Sequence, residues 1–430
     1  MRDLLETIVS DFFSFAIPPL VKRESVFPTL PGKATVVMGM RRTGKTYFCY
    51  QQIRGLLESG VDRSRILYLN FDDERLLDFT VRDFQLLLDV FYSRWPENKA
   101  RLCYFFFDEI QMVDNWERFI RRLIDTENVQ IALTGSSSKL LSGEIATSLR
   151  GRTLNCEIFP FSFREFLLAS GVFVGIPKQP NSAESAKLRK AIGDYVEAGG
   201  FPETLGLNQT LRRDVLQSYV EAVLFKDIVE RHKVSNVLAL RHLFSAILNS
   251  PAQQFSVNKF FNTLKSKGVS CTKNALYEYM DHLCDAYFAH RLSIHADSER
   301  VRQVNPEKVY SNDSAFHSCF MPPNVGSRGS LLETLVFLHL RRQQHNLSYV
   351  RTRENQEIDF LDIAPATAKE RLIQVCETLS APDTAARELR GLTSPPKALS
   401  NAEKWIVTWD ESRSLDGGVK VVPIWKFLLS

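Results

Sequence analysis

A short apolar strand, a loop flanked by glycines and a following helix form the most constraining stretch of this chain. Residues 34–38 (ATVVM) precede the sequence GMRRTGKT at 39–46, and the helical pattern YFCYQQI comes next. The loop matches GxxxxGK[ST] in the strand–loop–helix context that gives the motif its meaning. Because glycines let backbone N–H groups curl around an anion at the positive end of a helix, the stretch predicts a phosphate-binding loop in an α/β fold.

The residue types within the loop point to a nucleotide triphosphate with its metal ion. Lys45 has the reach to contact β- and γ-phosphate oxygens, and the Thr46 hydroxyl is placed to ligate Mg²⁺. The predicted cofactors are therefore ATP and Mg²⁺. The residues expected to contact the nucleotide are Gly39, Met40, Arg41, Arg42, Thr43, Gly44, Lys45, Thr46 and Tyr47. The alternative is a chance glycine turn.

A second apolar strand ends in two adjacent acids. The stretch RLCYFFFDEIQ runs through apolar residues to Asp108 and Glu109. A buried parallel strand that delivers an aspartate at its C-terminal end places it to hold Mg²⁺, and the next glutamate can polarise an attacking water. Switch GTPases usually lack that second carboxylate, so the pair favours ATP hydrolysis. The alternative is a strand that happens to end in an exposed acidic turn.

Further apolar runs predict the rest of a parallel sheet. Residues 66–71, 129–135 and 153–159 are apolar and are separated by helical patterns such as NWERFIRRLID. They complete a five-stranded parallel sheet covered on both faces, which is an α/β fold. After the fourth strand, Thr134 and Ser136 could sense the γ-phosphate, or they could cap the next helix.

Seven stretches of the chain resemble one family of ATPases. They are GMRRTGKT, YLNFDDERL, FDEIQ, LTGSSSKLLS, LRGR, PFSFREF and GGFPE, and they cover most of residues 30–205. They resemble the AAA+ branch of P-loop ATPases, and more narrowly the bacterial and archaeal ATP-binding proteins whose AAA+ core precedes a C-terminal domain of unknown function. The resemblance implies a P-loop core over 1–158 and a helical lid over 159–210.

The same resemblance implies a catalytic arginine that acts on a neighbouring subunit. In AAA+ proteins an arginine before the fifth strand reaches the neighbour's γ-phosphate, which here is Arg150 or Arg152. Such a residue requires a homo-oligomer, for which a hexameric ring is one arrangement. The alternative is a surface arginine that pairs with an acid such as Glu144.

The lid begins at PFSFREFLL, and the polar residues 175–190 are predicted to form a surface loop within it. The sequence GGFPE follows. In the related ATPases a glycine–proline element near this point contacts the adenine, so the resemblance implies this role for Gly200 and Pro202. A turn that simply ends a helix is the alternative.

Residues 211–310 contain a helix-turn-helix pattern. Ser256 caps one helix, Gly268 ends it, and Thr272 caps a second; two strands around a polar tip then form a wing. A DNA partner would be contacted by Lys273, Asn274, Tyr277, Arg300 and Arg302. Residues 251–310 carry eight Lys and Arg against six Asp and Glu. This thin margin keeps open the alternative that the winged helix only packs as a hinge.

From about residue 311 to 430 the patterns follow the order αβββαβ, which resembles the core of PD-(D/E)XK nucleases. That fold requires an acid on its first helix, an aspartate on its second strand, and E-x-K on its third. Here these positions carry Glu333, Asp359 and Gln374, with Cys376 in place of the lysine. Since cysteine cannot supply a cation, the resemblance predicts an inactive nuclease scaffold kept for DNA or partner recognition. Lys369, just before the third strand, is the alternative source of the missing lysine.

Composition limits the class of protein. The 430 residues include seven cysteines without a CxxC pair, which predicts buried thiols in a reducing compartment. No apolar run approaches the roughly 18 residues needed to cross a membrane, and the N-terminus, broken by Pro18 and Pro19, has no small-residue cleavage site. We therefore expect a cytoplasmic protein with no membrane partner. The net charge of +4 permits a nucleic-acid partner without requiring one.

Three functions fit these patterns. The first is an oligomeric AAA+-type ATPase that couples ATP hydrolysis to action on DNA in repair, recombination, branched-DNA processing or defence. The second is an ATP-dependent signalling switch that acts on a protein partner. The third is a metal-dependent nuclease gated by ATP.

Overall fold

The structure, a computed structural model, describes residues 1–135, 149, 151–320 and 328–430. The chain divides into two compact units, Met1–Phe159 and Pro160–Ser430. Within the described residues, no helix combines the length and the apolar character needed to cross a membrane.

The first unit is built on a five-stranded sheet. The strands are β1 (Ala34–Met38), β2 (Ile66–Asn70), β3 (Cys103–Asp108), β4 (Val129–Gly135) and β5 (Thr153–Glu157). Their order is β2-β3-β4-β1-β5, and every neighbouring pair is parallel. The five predicted strands are therefore confirmed, and the long apolar runs are explained because a parallel sheet is buried on both faces.

Among the described residues of this unit, four α-helices accompany the sheet. They are α1 (Arg2–Ser14), α2 (Lys45–Glu58), α3 (Asp83–Arg94) and α4 (Trp116–Thr126). Buried side chains of α2, such as Phe48 and Ile53, pack in one core with Val37 of β1 and Phe106 of β3. The helix that follows the glycine loop is thereby fixed against the centre of the sheet.

The second unit begins with helices. They are α5 (Phe163–Ala169), α6 (Ser182–Ala198), α7 (Gln209–Ala222), a π-helical segment (Val223–Glu230) and α8 (Val237–Leu248). The predicted surface loop over 175–190 is wrong in its second half, because α6 begins at Ser182. The Asn181 side chain accepts from the Glu184 N–H at 2.9 Å, and the Glu184 carboxylate accepts from the Asn181 N–H at 2.8 Å. This reciprocal capping starts a helix inside a polar stretch.

The middle of this unit carries the two predicted helices and a small sheet. Helices α9 (Val257–Ser266) and α10 (Lys273–Asp285) begin at the predicted caps, since the Ser256 and Thr272 hydroxyls accept from Lys259 and Ala275 N–H groups. Strands β6 (Gln253–Phe255), β7 (Ala289–Leu292) and β8 (Glu307–Ser311) pair antiparallel in the order β6-β8-β7.

Between β7 and β8 the structure differs from the predicted polar tip. A short helix, α11 (Glu299–Val304), lies there. Arg302 donates to Glu299 on the same helix at 2.7 Å, a spacing of three residues that places both side chains on one helical face. Arg300 and Arg302 therefore lie on a helix and not on an extended wing.

The last part of the chain forms a six-stranded sheet with three further helices, after α12 (Ala315–Phe320). The elements are α13 (Arg328–Arg342), β9 (Asn346–Arg351), β10 (Glu357–Ile363), β11 (Glu370–Val375), α14 (Pro382–Thr393), β12 (Glu403–Thr408), β13 (Arg413–Leu415), β14 (Val419–Pro423) and α15 (Ile424–Phe427). The strand order is β13-β14-β12-β11-β10-β9. From α13 to β12 the predicted order αβββαβ is present, with β10 antiparallel to β11 and β11 parallel to β12.

Candidate functional site

The glycine loop adopts a conformation that its sequence requires. Gly39 has φ +146°, and a Cβ at this position would overlap the Ile158 carbonyl oxygen. Gly44 has φ +93° and immediately precedes the first residue of α2. Since both backbone conformations are costly for residues with a side chain, the two glycines of the motif are needed for the shape of the loop.

Lys45 lies inside this loop. Its side chain is buried, with 5% of the residue exposed, and its Nζ donates to the carbonyl oxygens of Gly39 and Met40 at 3.1 Å each. These acceptors are neutral backbone groups of the loop itself. The ammonium is therefore placed where the loop would receive phosphate oxygens.

Asp108 and Thr46 meet at the end of the sheet. The Thr46 hydroxyl donates to Asp108 Oδ2 at 2.7 Å, the Tyr68 hydroxyl donates to the same oxygen at 2.9 Å, and the Thr134 hydroxyl donates to Oδ1. Asp108 is only 1% exposed, and burial raises its pKa even though these hydroxyl groups stabilise the carboxylate. A hydroxyl and a carboxylate in direct contact are the oxygen ligands that Mg²⁺ prefers, so these residues fit a magnesium ion.

Glu109 is held in an unusual backbone conformation. Its φ is +51°, and its N–H donates to the Thr134 hydroxyl at 3.1 Å. The Gln111 side-chain amide donates to the Glu109 carboxylate. Thr134 thus contacts the carboxylate of Asp108 and the backbone of Glu109, which fixes the backbone of Glu109 relative to the Asp108 side chain.

Two residues of this site lie outside the predicted set. Tyr68 stands on β2, the strand next to β3, where a hydroxyl in the apolar run ILYLNF is the only sequence signal. Arg23 is buried, and its guanidinium donates to the carbonyl oxygens of Thr43 at 2.8 Å and of Phe159 at 2.6 Å. It joins the glycine loop to the chain after β5, which no local pattern around residue 23 indicates.

The predicted arginines and Ser136 have different outcomes. Ser136 and Arg150 lie outside the described residues. Arg152 donates to Asp125, and both side chains are exposed. The alternative partner Glu144 also lies outside the described residues. The acid that pairs with Arg152 at the surface is Asp125.

The GGFPE element lies in the second unit and ends a helix there. Helix α6 stops at Ala198, and Gly199 follows with φ +72°. The Gly200 N–H donates to the buried Asp313 carboxylate at 2.8 Å, and Pro202 begins a short 3-10 turn, Pro202–Thr204. The helix-ending alternative is therefore observed, and the adenine contact of Gly200 and Pro202 stays a prediction.

The DNA-contact candidates on α10 are exposed. Lys273, Asn274 and Tyr277 lie near its start with exposed side chains, and the Lys273 ammonium lies 5.4 Å from the centre of the Phe261 ring. Arg300 is exposed on α11. These positions are open to a partner, and contact with DNA stays a prediction.

The three nuclease-type residues of the second unit do lie close together. Asp359 on β10 donates its N–H to the Gln374 side-chain oxygen at 3.3 Å, while Glu333 and Asp359 share one cationic partner. That partner is Lys308, which the sequence did not indicate. Cys376 is buried, and burial raises the pKa of its thiol to about 12.

Lys369 does not supply the missing cation. Its side chain is 71% exposed, and its Nζ lies 4.0 Å from Glu403. The prediction that it reaches back into the acidic residues is wrong, because the strand end directs it to the surface. Across the described ranges, no group of three or more His, Cys, Asp and Glu side chains is arranged to hold a metal ion.

Three family models match successive parts of the chain. Residues 31–167 match an AAA domain, residues 189–322 match a domain of unknown function (DUF8612), and residues 328–427 match another (DUF4143). The first match contains the glycine loop, Asp108 and Glu109. The AAA assignment of the first unit is therefore confirmed, whereas the nuclease resemblance of the last domain stays a prediction.

Two solved structures with similar chains are Orc1 of Aeropyrum pernix and DnaA of Aquifex aeolicus. Orc1 of Aeropyrum pernix, in complex with DNA, is 11% identical with a TM-score of 0.27 over 74% of this chain and 90% of that one. AMPPCP-bound DnaA of Aquifex aeolicus is 12% identical with a TM-score of 0.25 over 59% of this chain and 82% of that one. TM-scores this low do not show that the whole chains share one arrangement.

Two relatives match along most of their length. An uncharacterized protein of Haemophilus influenzae is 28% identical over 327 residues, which is 76% of this chain and 78% of the relative. The uncharacterized protein MJ1544 of Methanocaldococcus jannaschii is 34% identical over 442 residues, covering 99% of this chain and 95% of the relative. The chain belongs to the family of AAA-domain proteins that includes MJ1544.

Proposed function

We propose that this protein is an AAA+-type ATPase that binds ATP with Mg²⁺ in the glycine loop and hydrolyses it. The observation that carries the proposal is the contact of Thr46 with Asp108 at 2.7 Å beside a loop that already contains the buried Lys45. A phosphate-binding loop, a hydroxyl and a carboxylate are the parts that P-loop ATPases use.

Each residue has a defined task. The N–H groups of the loop and the Lys45 ammonium bind phosphate oxygens, while Thr46 and Asp108 hold the metal ion. When bound, Mg²⁺ neutralises charge on the β- and γ-phosphates. The Lys45 amine exchanges its bonds to the carbonyls of Gly39 and Met40 for bonds to these phosphates.

Glu109 is the proposed base that orients and deprotonates the attacking water. Its carboxylate directly follows the metal-binding Asp108, and its backbone N–H is fixed by the Thr134 hydroxyl at 3.1 Å. The Gln111 amide, which donates to the carboxylate, limits the positions that this side chain takes. Thr134 is a positioning residue here, since it contacts both acids.

A homo-oligomer completes the proposed site. Arg150 or Arg152 would reach the γ-phosphate held by the next subunit, for which Arg152 exchanges its surface partner Asp125. Exposed ion pairs contribute little to stability, so this exchange has a small cost. Pro202 and Gly200 are proposed to contact the adenine.

The proposed substrate of the ATP-driven movement is DNA, with action in repair, recombination, branched-DNA processing or defence. Its support is the exposed set Lys273, Asn274 and Tyr277 on α10, the second helix of the proposed winged-helix domain. A helix start with an exposed lysine and an exposed aromatic ring suits phosphate and base contacts.

An ATP-dependent signalling switch that acts on a protein partner is the second candidate. It is favoured by the acids on the same helix: Glu278 is exposed, and Asp281 accepts from Arg291 at 2.7 Å. These acids weaken attraction to phosphate. The two candidates differ in whether DNA accelerates ATP turnover.

The test is ATP turnover of the full chain with duplex, fork and junction DNA. We expect turnover that depends on Mg²⁺, is abolished in Lys45→Ala, and rises several-fold with at least one DNA form. Lys99→Ala, which removes an exposed lysine of the same unit, is the matched control. Turnover that no DNA form stimulates would favour the signalling switch, and no turnover under any condition would contradict the ATPase proposal.

A further inference from the structure

The second unit contains a buried lysine whose ammonium lies among three acids. The Lys308 side chain on β8 is 3% exposed. Its ammonium lies 2.7 Å from Glu333 Oε1, 2.9 Å from Asp359 Oδ1 and 2.8 Å from Glu357 Oε1. An ammonium has three N–H donors, and here hydrogen bonds run to Glu333 and Asp359, while the Glu357 carboxylate lies at ion-pair distance.

The three carboxylates, which we call the acidic site, are also held from their other sides. The Tyr310 hydroxyl donates to Glu333 Oε1 at 2.7 Å, and the Val375 N–H donates to Asp359 Oδ2 at 2.9 Å. The Gln254 side-chain amide contributes a bond of 2.5 Å to Glu357 Oε2. The acids are therefore arranged around the ammonium by fixed neighbours, and not by chance contact of mobile chains.

Charge explains why the amine stays protonated. Burial alone would lower the pKa of Lys308, but the surrounding acids, Asp359 foremost, hold this pKa well above its usual value. Burial, followed by the charge of Asp359, raises the pKa of Glu333. The cluster thus needs a cation at its centre, since without one the buried carboxylates would repel each other.

A metal ion would need the same position. Carboxylate oxygens ligate Mg²⁺ at about 2.0–2.1 Å, which places the ion at the centre of the oxygens that now bind the ammonium. Lys308 would have to move out of this position. Its ammonium would then lose all the carboxylate partners that it now has. That displacement is costly, because removing one partner of a buried pair leaves uncompensated charge.

We propose that Lys308 is a built-in cation that fills the acidic site of Glu333, Glu357 and Asp359, so that the site takes no divalent metal. The lysine instead ties β8 of the small sheet to α13 and β10 of the large sheet. The residues that would form a nuclease centre serve here as a structural junction. This inference is independent of the proposed ATP turnover.

Manganese binding in the absence of nucleotide tests the proposal. We expect Asp359→Asn to leave the Mn²⁺ stoichiometry of the full chain unchanged, because the native acidic site binds none. Lys308→Met should bind one additional Mn²⁺ per chain, and Lys308→Met/Asp359→Asn should lose it. Electron paramagnetic resonance or calorimetry provides the count. Fewer Mn²⁺ bound by the Asp359→Asn chain than by the native chain would overturn the proposal.

DNA cleavage gives a second readout. We expect the native chain to show no Mn²⁺-dependent DNA cleavage that depends on Asp359. The Asp359→Asn variant should therefore behave like the native chain in this assay. Cleavage that disappears in both Asp359→Asn and Lys308→Met would show that the lysine works beside a metal, which would overturn the proposal.

Thermal unfolding keeps the proposal testable if Lys308→Met folds poorly. We expect Lys308→Met to lower the Tm by about 10 °C, since it leaves buried acids without their cation. The triple variant Lys308→Met/Glu333→Gln/Asp359→Asn should regain more than half of this loss. The matched control Lys420→Met, which breaks an exposed pair with Glu403, should change the Tm by about 2 °C or less. A triple variant no more stable than the single one would contradict a built-in cation.

Discussion

Two buried lysines in this chain have opposite surroundings. Lys45 donates to the neutral carbonyls of Gly39 and Met40 at 3.1 Å. Lys308 instead donates to the Glu333 and Asp359 carboxylates at 2.7 and 2.9 Å and forms an ion pair with Glu357 at 2.8 Å. The Lys308 contacts are the shorter ones, and each joins two opposite charges, whereas each Lys45 bond joins a charge to a neutral group.

Burial of a lysine therefore serves two different purposes in this chain. A lysine held by weak neutral acceptors can exchange them for a more anionic ligand, and its position in a glycine loop makes phosphate that ligand. A buried lysine whose ammonium lies among three carboxylates is already surrounded by negative charge and is not suited to a further anionic ligand. The first is therefore suited to binding, and the second to joining parts of the structure.

The largest expected effect is that of Lys45→Ala. Because the ammonium stabilises charge that develops on the transferred phosphate, kcat/KM for ATP should fall by about 1000-fold. Steady-state ATP turnover measures this, with Lys99→Ala as the control at native rate. A Lys45→Ala rate within about threefold of native would contradict the contrast between the two lysines, since Lys45 would then be structural like Lys308.

Glu109→Gln should separate binding from turnover. Loss of the base is expected to lower kcat by about 100-fold while ATP affinity changes little, because the amide still occupies the same space. Single-turnover kinetics and an ATP titration give the two quantities. Glu97→Gln, at an exposed acid of the same unit, is the matched control. Equal losses of binding and turnover would contradict the role of Glu109 as base.

Asp313 tests whether a buried acid without a lysine partner carries a cost. It accepts from the Gly200 and Ala315 N–H groups at 2.8 Å each, and burial raises its pKa to about 6 from the usual 3.8. The folded chain thus retains a proton that the unfolded chain releases, so this group's contribution to stability falls as the pH rises from about 4 to about 6.

The measurement is the free energy of unfolding against pH for the native chain and Asp313→Asn. The difference between the two curves should change by about 2 kcal/mol over that range, with the native chain losing more as the pH rises. Parallel curves would mean that the charged form of Asp313 is as well accommodated as the neutral one.

Lys369→Met should have the smallest effect. This lysine is exposed and lies 4.0 Å from Glu403, so its loss should change the free energy of unfolding by about 0.5 kcal/mol or less. Chemical denaturation measures this change. A loss as large as that of Lys308→Met would show that Lys369 also supports the acidic site.

Local patterns predicted much of the first unit. The five strands and the glycine loop are readable because each depends on residues that are neighbours in sequence, such as Gly39, Gly44 and Lys45. Asp108 and Glu109 were found in the same way, since an apolar strand that ends in acids is a local signal. Their shared contact with Thr134 was not predicted, because it joins the end of β3 to β4, which comes later in the sequence.

Tertiary contacts set the limit in the second unit. Lys308 lies 25 residues before Glu333 and 51 before Asp359, and nothing in the stretch NPEKVYS distinguishes it from a surface lysine. The alternative that local patterns offer is Lys369, which is near the third strand in sequence but has an exposed side chain. The start of α6 was missed for a different reason. The capping pair Asn181 and Glu184 is a local signal, but it lies in a polar stretch whose composition is typical of a loop.

The most direct measurement is an equilibrium titration of the full chain with Mg·ATP. We expect the native chain and Lys99→Ala to bind with equal affinity, and Lys45→Ala to show at least about 100-fold weaker binding. Native protein that does not bind Mg·ATP, or Lys45→Ala that binds it as tightly as the native chain, would contradict the assignment of the glycine loop, Thr46 and Asp108 as the nucleotide site.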